Sequence, residues 1–417
     1  MRTRLRSSYR LMLSFWLGIG IVALSGTLVT AQDDDGRLLN NIDIHGIISQ
    51  GWLRSSDNNW LTNTDEGSFD YRQVVLNFST TLSDDLRVGM QFAYLGLTGI
   101  DNVVVDWATA DYIVNDWLNL RLGRYKIPVG QYNESRDLES MRNSIFLPQA
   151  VYPEFYRDTS FSMDGFMVHG LSDLHKLGNL NYALWIGDKD FPDNGSIAKL
   201  NEDSGLIDVT DIGIDYGWGA AIDWETPWPV LRIRASLNML RQLWARGTVT
   251  TAGMFAFGTL PGASTETTAS SFEITTYGFE LSWDRLTFAS EYQTQRSRFY
   301  VDVADIQRMV VPVRTEGYYG WLDYQISEKY AAGASYSIYY ADKYDRDGSN
   351  YEARGLDDYL GWFKDLSIYW RININSQFAL KIEHHWIDGA AAMTASENPD
   401  GFTRHWRMLI LNATISF

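Results

Sequence analysis

The sequence predicts an all-β protein: a transmembrane antiparallel β-barrel of about 16 strands, with short turns at one end and long loops at the other. Three observations predict this fold. Many segments alternate apolar and polar residues with a period of two. Short and long connections alternate along the chain. Beyond residue 31 there is no run of 18 apolar residues, which excludes an ordinary helical membrane span.

The first 31 residues have the three parts of a secretory signal. The segment "MRTRLRSSYR" is basic, "LMLSFWLGIGIVALSG" is apolar, and "VTA" before Gln32 has the small-residue spacing of a cleavage site. We therefore expect residues 1–31 to be a signal peptide that is removed on export. The remaining residues, 32–417, are expected to form a single transmembrane β-barrel. Loss of the four arginines in the signal takes the formal charge from -17 to -21.

Period-two alternation gives each predicted strand one apolar face. In "LRVGMQFAY", which starts at Leu86, the first, third, fifth, seventh and ninth residues are apolar or aromatic. The segments "LRIRASLNM" from Leu231 and "FALKIEHHW" from Phe378 repeat the pattern. A strand of this kind suits a barrel wall that has lipid on one side and a wet lumen on the other.

Turn signals divide the strands into hairpins whose connections are alternately short and long. The seven short connections are SDD, VND, TPWP, WDR, ISEK, NINS and the slightly longer SDLHKLGN. Long connections are expected at residues 54–68, 128–160, 189–212, 244–271, 298–315, 341–358 and 389–402, with a short exception near 97–102. Four tryptophans lie beside short turns, where an aromatic girdle would meet lipid headgroups: Trp117, Trp224, Trp228 and Trp283.

Composition narrows the function classes. The chain has no cysteine although we expect it to be exported, so its stability must come from another source, such as a closed sheet. Aromatic residues make up 14% of the chain, which fits wide burial or a membrane interface. The strongly negative charge argues against nucleic-acid binding. The six histidines show no metal-ligand spacing, and we expect no metal and no other cofactor.

The last ten residues, "MLILNATISF", predict the strand that closes the barrel. They end on Phe417, and this ending resembles the terminal strand by which bacterial outer-membrane barrels are recognised for assembly. Trp406, Met408 and Ile410 interrupt the polar lumen face of this strand. We expect these three side chains to pack against a loop that folds into the barrel.

Two segments carry a resemblance to a known family. "LRLGRYKIPVGQYNE" at residues 120–134 and "SIFLPQAVYPE" at residues 144–154 resemble the trimeric porins of the phosphate-selective (polyanion) type. In those porins the fifth strand ends in a Gly-basic-aromatic-Lys-x-Pro-x-Gly segment before the loop that narrows the pore. The resemblance implies a 16-stranded homotrimer in the bacterial outer membrane that passes small solutes, with a constriction loop at about residues 128–160. Because this chain has fewer inward basic residues and mixes acids among them, phosphate selectivity does not follow automatically.

Strand parity selects the candidate lumen residues. Leu120 and Leu122 share one face, so Arg121 must point inward, because a lipid-facing arginine at mid-membrane would cost about 2–4 kcal/mol. The same parity sends Arg232 and Arg234 inward, whereas it does not fix the direction of basic residues near the outer rim. The predicted constriction and anion-binding residues are Arg121, Arg124, Lys126, Arg136, Arg142, Arg157, Arg232 and Arg234.

Later strands supply an opposing acidic wall. Parity turns five carboxylates inward: Glu280, Glu291, Asp323, Asp365 and Glu383. Two walls of unlike charge would set up a transverse field that orients dipolar solutes and gives only mild ion preference. Lys381 and Arg371 lie within the acidic wall and weaken it.

The charges near the opening of the constriction loop have two interpretations. Residues 120–157 contain six basic and four acidic residues, a balance of +2 in an acidic chain. One interpretation is that the surplus favours anions in a narrow passage, where fixed charges partly replace lost hydration. The other is that the charges pair with one another and only tether the loop to the wall.

The sequence therefore predicts a porin and not an enzyme: a passive diffusion channel for small hydrophilic solutes. An anion or phosphate preference is one expected form, and a general porin with a transverse field and weak selectivity is the other. The expected partners are outer-membrane lipids, the solutes and further copies of the chain. An outer-membrane β-barrel hydrolase, built from Ser, His and Asp side chains on the wall, is the alternative from a different class. An adhesin or phage receptor would use the long loops and is compatible with a channel.

Overall fold

The computed structural model describes residues 42–98, 102–158, 162–189, 191–192, 194–304, 307–391 and 393–417. These residues form a closed antiparallel β-barrel. The predicted signal peptide at residues 1–31 lies outside the described residues. None of the described helices is long and apolar enough to cross a membrane.

The wall of the barrel is built from 17 strands in the described part of the chain. They are β1 (Asp43–Ser55), β2 (Arg72–Ser83), β3 (Leu86–Leu95), β4 (Val104–Asn115), β5 (Leu118–Lys126), β6 (Ser162–Asp173), β7 (Asn179–Asp188), β8 (Ile207–Gly213), β9 (Tyr216–Glu225), β10 (Leu231–Val249), β11 (Ser264–Trp283), β12 (Leu286–Val303), β13 (Gln307–Gln325), β14 (Tyr330–Tyr340), β15 (Trp362–Asn373), β16 (Phe378–Gly389) and β17 (His405–Ser416). Three short helices lie in the connections: α1 (Ser196–Glu202), α2 (Thr251–Phe257) and α3 (Ser349–Glu352).

The strands β8 and β9 together form one position in the wall. Both pair with β10, where β8 lies along Trp244 to Val249 and β9 lies along Arg232 to Arg241. Only residues 214 and 215 separate β8 from β9. Because β1 also pairs with β17, the ring closes with 16 wall positions. The predicted 16-stranded barrel is confirmed.

The strand register separates an inner face from an outer face. Residues directly opposite each other in adjacent strands share a face, so a row of side chains can be followed around the ring. On one face Glu280 lies opposite Arg232, and Glu291 lies opposite Tyr319. The other face carries large exposed apolar side chains, including Leu122 at 57% exposure. Since a membrane barrel turns its apolar face to lipid, the first face lines the lumen.

The short connections all lie at one end of the barrel, which we call the turn rim; the other end is the loop rim. Each of the seven predicted short connections joins two neighbouring strands at the turn rim. Trp117, Trp228 and Trp283 are 56%, 62% and 77% exposed beside these turns, as expected for an aromatic girdle.

Two predicted long loops instead contain the ends of long strands. The strands β10 and β11 extend to Val249 and from Ser264, and β12 and β13 extend to Val303 and from Gln307. The predicted loops at 244–271 and 298–315 therefore correspond to tall hairpins, the first with a tip that contains α2 and the second with a short tip. Beyond the membrane a hairpin has no lipid on either face, so the period-two pattern that identifies a strand in the sequence fades there.

The carboxyl terminus closes the ring through a contact with a glycine. Gly46 and Phe417 exchange backbone hydrogen bonds at 2.8 and 3.0 Å. A Cβ on Gly46 would lie 2.3 Å from Cζ of Phe417, so the aromatic ring covers the glycine. Close packing of the terminal ring on β1 thus depends on the absence of a side chain at this position.

Gly46→Ala is expected to destabilise the barrel by less than the about 1–3 kcal/mol that overpacking costs in a closed core, because the Phe417 ring that the methyl group displaces is 54% exposed and can move. Gly320→Ala is the matched control, since a Cβ there would lie 3.6 Å from its nearest neighbour, Phe288. The measurement is the temperature at which the folded, heat-modifiable gel band converts to the unfolded one. Equal conversion temperatures for the two variants would contradict this view of the closure.

Candidate functional site

The connection between β5 and β6 runs through the interior of the barrel; we call residues 127–157 the lumen loop. At its start, Ile127 packs in a cluster with Met163 and Trp185 of the wall. Near its middle, Leu138 packs against the cluster of Ile47, Val75 and Ala93 on the first three strands. These clusters lie on different sides of the ring, so the loop crosses the lumen.

The second half of the lumen loop is held by apolar packing. Ile145 and Phe146 pack with Trp406, Met408 and Ile410 of β17, which is the contact expected for those three residues. Further along, Leu147, Val151 and Tyr152 pack with Ala289, Tyr319, Trp321 and Tyr369 on β12, β13 and β15. The aromatic and aliphatic side chains on this part of the wall therefore pack against the loop and hold it in position.

A buried ion pair ties the middle of the loop to the far wall. Lys381 of β16 contacts the Glu139 carboxylate, and both side chains are fully buried. The same ammonium donates to the backbone carbonyls of Glu139 at 2.7 Å and Ser144 at 3.2 Å. The Glu139 carboxylate also accepts from Ser49 at 2.8 Å and from Thr414. This tether joins the loop to β1, β16 and β17.

Two of the predicted acidic-wall residues bind loop backbone. Glu291 accepts from the backbone N–H of Gln131 at 2.8 Å and from the hydroxyl groups of Tyr152 and Tyr319. Glu383 accepts from the backbone N–H of Ile145. These two carboxylates therefore position the loop and have little exposure to the lumen.

Three of the predicted basic residues lie in a buried charge network at the base of the loop or within the loop. Arg136 donates to Glu154 at 3.1 Å, and Arg157 contacts both Glu154 at 3.1 Å and Asp137 at 2.7 Å. Lys126 contacts Asp137 and lies 2.9 Å from Asp106. In this network each buried cation has a carboxylate partner, as buried charges require.

The inward strand arginines are also paired. Arg121 donates to Asp111 at 2.7 Å, and Arg232 donates to Asp223 at 2.6 Å. Arg234 donates to Glu134 of the lumen loop at 2.7 Å. Their inward direction follows from the register, as parity predicted.

Arg124 does not lie with these residues. The register places it opposite Asp164, on the same face as Leu122 and Phe166, which is the outer face of the wall. Its guanidinium donates to Asp164 at 2.8 and 2.6 Å. The inclusion of Arg124 among the pore residues is therefore corrected: three positions along a strand reverse the face, so Arg124 points away from Arg121.

Arg142 stands apart because, among the described residues, its guanidinium has backbone partners and no carboxylate partner. It donates to the carbonyls of Arg136 at 2.5 Å and Ile145 at 2.8 Å. Its own carbonyl accepts from Arg371 of β15 at 2.9 Å. The side of the lumen loop that faces the turn rim thus carries a positive charge, on Arg142, that no carboxylate contacts directly.

A cavity of about 420 Å³ lies between this side of the loop and the wall formed by β11, β12 and β13. The loop contributes Tyr132, Arg136, Met141, Arg142 and others, and the wall contributes acidic and aromatic residues including Glu280, Asp323 and Trp321. Residues 284, 285 and 325 at the turn rim complete the lining.

The carboxylates at this cavity have hydroxyl partners. Glu280 accepts from the Tyr132 hydroxyl at 2.8 Å, and Asp323 accepts from the Tyr369 hydroxyl at 2.6 Å. Among the described residues neither carboxylate lies within ion-pair distance of a cation, although Arg232 lies opposite Glu280 in the strand register. Glu280 and Asp323 of the wall therefore face Arg142 of the loop across the cavity, with Asp284 and Arg285 at the turn rim beside them.

The fifth predicted acidic residue, Asp365, lies beside a buried histidine. Its two carboxylate oxygens lie 2.9 and 3.0 Å from Nδ1 of His385. Nε2 of the same ring lies 3.0 Å from Glu383. In the described part of the chain no group of three His, Cys, Asp or Glu side chains is arranged to hold a metal ion.

Sequence reasoning missed the partners that decide these roles. Glu139, Asp111 and Asp223 were not proposed as site residues, yet they pair with Lys381, Arg121 and Arg232 respectively. The alternation of β4 and β9 could have placed Asp111 and Asp223 on the inner face. The position of Glu139 in an irregular loop gives no such signal.

Comparisons with solved structures identify similar folds at low sequence identity. The outer membrane channel DcaP of Acinetobacter baumannii is 11% identical with a TM-score of 0.54, over 90% of this chain and 97% of that chain. OmpT of Vibrio cholerae is 10% identical with a TM-score of 0.53, over 90% and 97%. Salmonella typhi OmpF, in a complex with daunomycin, is 12% identical with a TM-score of 0.54, over 90% and 98%. At these identities the likeness concerns the fold alone.

Neither a protein-family model nor a curated protein matches the chain in sequence.

Lys381→Met is expected to destabilise the loop and barrel by about 3–5 kcal/mol, because it leaves the Glu139 carboxylate buried without its cation. The double variant Lys381→Met/Glu139→Gln should recover part of this loss. Arg246→Gln is the control, since its pair with Glu266 is about half exposed and such pairs contribute about 0–1 kcal/mol. The conversion temperature of the folded gel band measures the effect. A Lys381→Met barrel as stable as the control would contradict the tether.

The Glu154 network predicts acid resistance of the loop. Burial alone would raise the pKa of the Glu154 carboxyl, but the guanidinium groups of Arg136 and Arg157 lower this pKa to about 2. An unperturbed glutamate has a pKa of about 4.3. The ion pairs of Glu154 therefore stabilise the loop fully above that pH, and this stabilisation is lost as the pH falls through about 2. We expect pepsin to spare the loop at pH 4 and to cut it near pH 2.

Glu154→Gln supplies the comparison for this experiment, because its loop should be cut at both pH values once the network is broken. Rates are normalised to an unstructured peptide at each pH. Equal cutting of the unsubstituted loop at pH 4 and pH 2 would show that the Glu154 pairs do not hold it.

Proposed function

We propose that the barrel is an outer-membrane channel for passive diffusion of small hydrophilic solutes. We further propose that the lumen loop forms its constriction and that the channel has a transverse field with weak ion selectivity. The observation that carries the proposal is the cavity beside the loop, with Glu280 and Asp323 on one side and Arg142 on the other. Such a field orients dipolar solutes without excluding either sign of ion.

The pairing of the basic residues supports weak selectivity over a strong anion preference. Arg121, Arg232 and Arg234 each contact a carboxylate, and so do the buried cations of the loop network. A paired guanidinium contributes little net field along the pore, because its partner cancels most of it. The resemblance to phosphate-selective porins therefore stays a prediction about family, and Arg142 is the residue on which any remaining anion preference would depend.

Placement in a bacterial outer membrane and assembly as a homotrimer belong to the same proposal. The apolar outer face, the tryptophans at the turn rim and the terminal Phe417 support the membrane placement. The similar folds of DcaP, described as an outer membrane channel, and of OmpF agree with it. The trimer follows from the resemblance in residues 120–154.

The hydrolase alternative finds less support in the lumen. Ser367 lies opposite His385 in the register, which brings a hydroxyl near an imidazole. However, both nitrogens of this ring face carboxylates, and the side chain is only 2% exposed. A histidine held in this way has no free nitrogen to activate a serine, and a substrate could not reach it.

The purified protein is expected to give conductance steps in planar bilayers, with a reversal potential near zero in a salt gradient. Arg142→Gln should shift the reversal potential toward cations, and Asp323→Asn should shift it toward anions, since each removes one side of the field. Both shifts should shrink as salt rises, because the Debye length is about 10 Å at 0.1 M and shorter above it.

Arg314→Gln, which removes an arginine from the outer face, is the control and should leave the reversal potential unchanged. A folded barrel that gives no conductance would overturn the channel. A strongly anion-selective channel whose preference disappears in Arg142→Gln would replace the transverse field with an anion filter.

A further inference from the structure

The outer face carries a group of basic side chains at the loop rim of β15, β16, β17 and β1. We call Arg54, Lys364, His384, Arg404 and Arg407 the rim patch. Four of them belong to strands and alternate with inward residues, so their direction is set by the register. Arg404 directly precedes β17 and reaches the patch through Asp388.

The rim patch lies directly above the apolar surface of the barrel. Toward the turn rim from Arg407, the outer face of β17 continues with Leu409 and Leu411, and Leu411 is 41% exposed. Ile382 lies opposite Leu411 and is equally exposed. Charged groups just beyond an apolar band lie at the depth of lipid headgroups.

The patch has more positive than negative charge. Of its two acids, Asp388 accepts from Arg404 at 2.9 Å and lies 3.9 Å from Lys364, and Asp358 lies 3.8 Å from Arg404. For Arg54 and Arg407, by contrast, the described residues provide no carboxylate within ion-pair distance. These two arginines are the exposed, uncompensated part of the patch.

The two uncompensated arginines are neighbours. Arg54 lies opposite Leu409, which is two positions from Arg407 on the same face. Diagonal neighbours of this kind have Cα atoms about 7–8 Å apart, within reach of long side chains. Two guanidinium groups at this spacing repel each other unless an anion lies between them.

A second basic group at the loop rim shows that this excess is local. On the outer side of β13 and in the loop between β14 and β15, Arg314 lies 2.7 Å from Asp342 and Arg346 lies 2.5 Å from Glu316. Each arginine there has its own carboxylate. The same rim therefore contains a compensated group and an uncompensated one.

We propose that the rim patch binds the phosphate of a phosphorylated glycolipid in the outer leaflet. Arg54 and Arg407 would hold the phosphate oxygens, because guanidinium groups form charge-assisted, bidentate hydrogen bonds to phosphate. The acyl chains would lie along Leu411, Ile382 and Trp52 on the band below. This inference rests on the proposed outer-membrane placement and does not depend on conduction.

The test is binding of bisphosphorylated lipid A to the purified barrel in detergent, followed by native mass spectrometry. We expect Arg54→Gln/Arg407→Gln to bind this lipid at least about tenfold more weakly than the unsubstituted protein, because charge-assisted hydrogen bonds to the phosphate are lost. Dephosphorylated lipid A should bind the two proteins equally weakly. The matched control, Arg314→Gln/Arg346→Gln, should bind like the unsubstituted protein.

Folding of each variant is checked by its heat-modifiable gel band, and only folded barrels are compared. Equal lipid A binding by the patch variant and the control would overturn the inference. Displacement of lipid A by millimolar inorganic phosphate would show a simple phosphate site, and loss of oligomer mass in the patch variant alone would assign the arginines to contacts between copies. Either result would also overturn it, whereas silent bilayers would bear only on the channel proposal.

Discussion

Charge compensation inside the barrel is the constraint on which the rest of the structure depends. A carboxylate or ammonium group removed from water is tolerated only with a partner of opposite sign and good hydrogen bonds. Lys381 and Glu139 meet this requirement across the lumen, and Arg136, Arg157, Glu154 and Asp137 meet it within the loop. Because the first pair joins the loop to β16 and the others hold the loop in one conformation, together they fix the loop inside the ring and determine which surface of it borders the cavity.

The same constraint separates structural charges from functional ones. Glu291 and Glu383 point inward, but they accept hydrogen bonds from the loop backbone and therefore hold the loop in place. Glu280, Asp323 and Arg142 border open space, and none of them forms a close ion pair with another described residue. On the outer wall, the contrast between Arg314, which has Asp342, and Arg407, which has no described carboxylate, follows the same logic. A charged side chain without a partner in the protein can bind a solute or a lipid headgroup of opposite charge.

The sequence predicts the direction of a side chain only where apolar and polar residues alternate regularly along a strand. Within the membrane band, lipid on one side enforces a period of two, so Arg121 and the inward acids could be assigned to the lumen from parity alone. Parity also places Arg124 on the opposite face, but the end of the strand obscured this. Glu139 could not be assigned, because an irregular loop has no period, and its partner lies 242 residues away. Outside the membrane, neither face of a tall hairpin contacts lipid, so its residues do not follow a period of two and its strands could not be recognised from the sequence.

In the proposed channel the lumen loop narrows the conducting path, and the absence of cysteine from the chain allows a direct measurement of this narrowing. Met141 is 75% exposed and borders the cavity from the loop side. In Met141→Cys, a bulky membrane-impermeant thiol reagent added during single-channel recording is expected to reduce the current in one step, which a reducing agent reverses. The unsubstituted channel should not respond. Complete modification of Cys-substituted protein, verified by mass, with no change in current would contradict the claim.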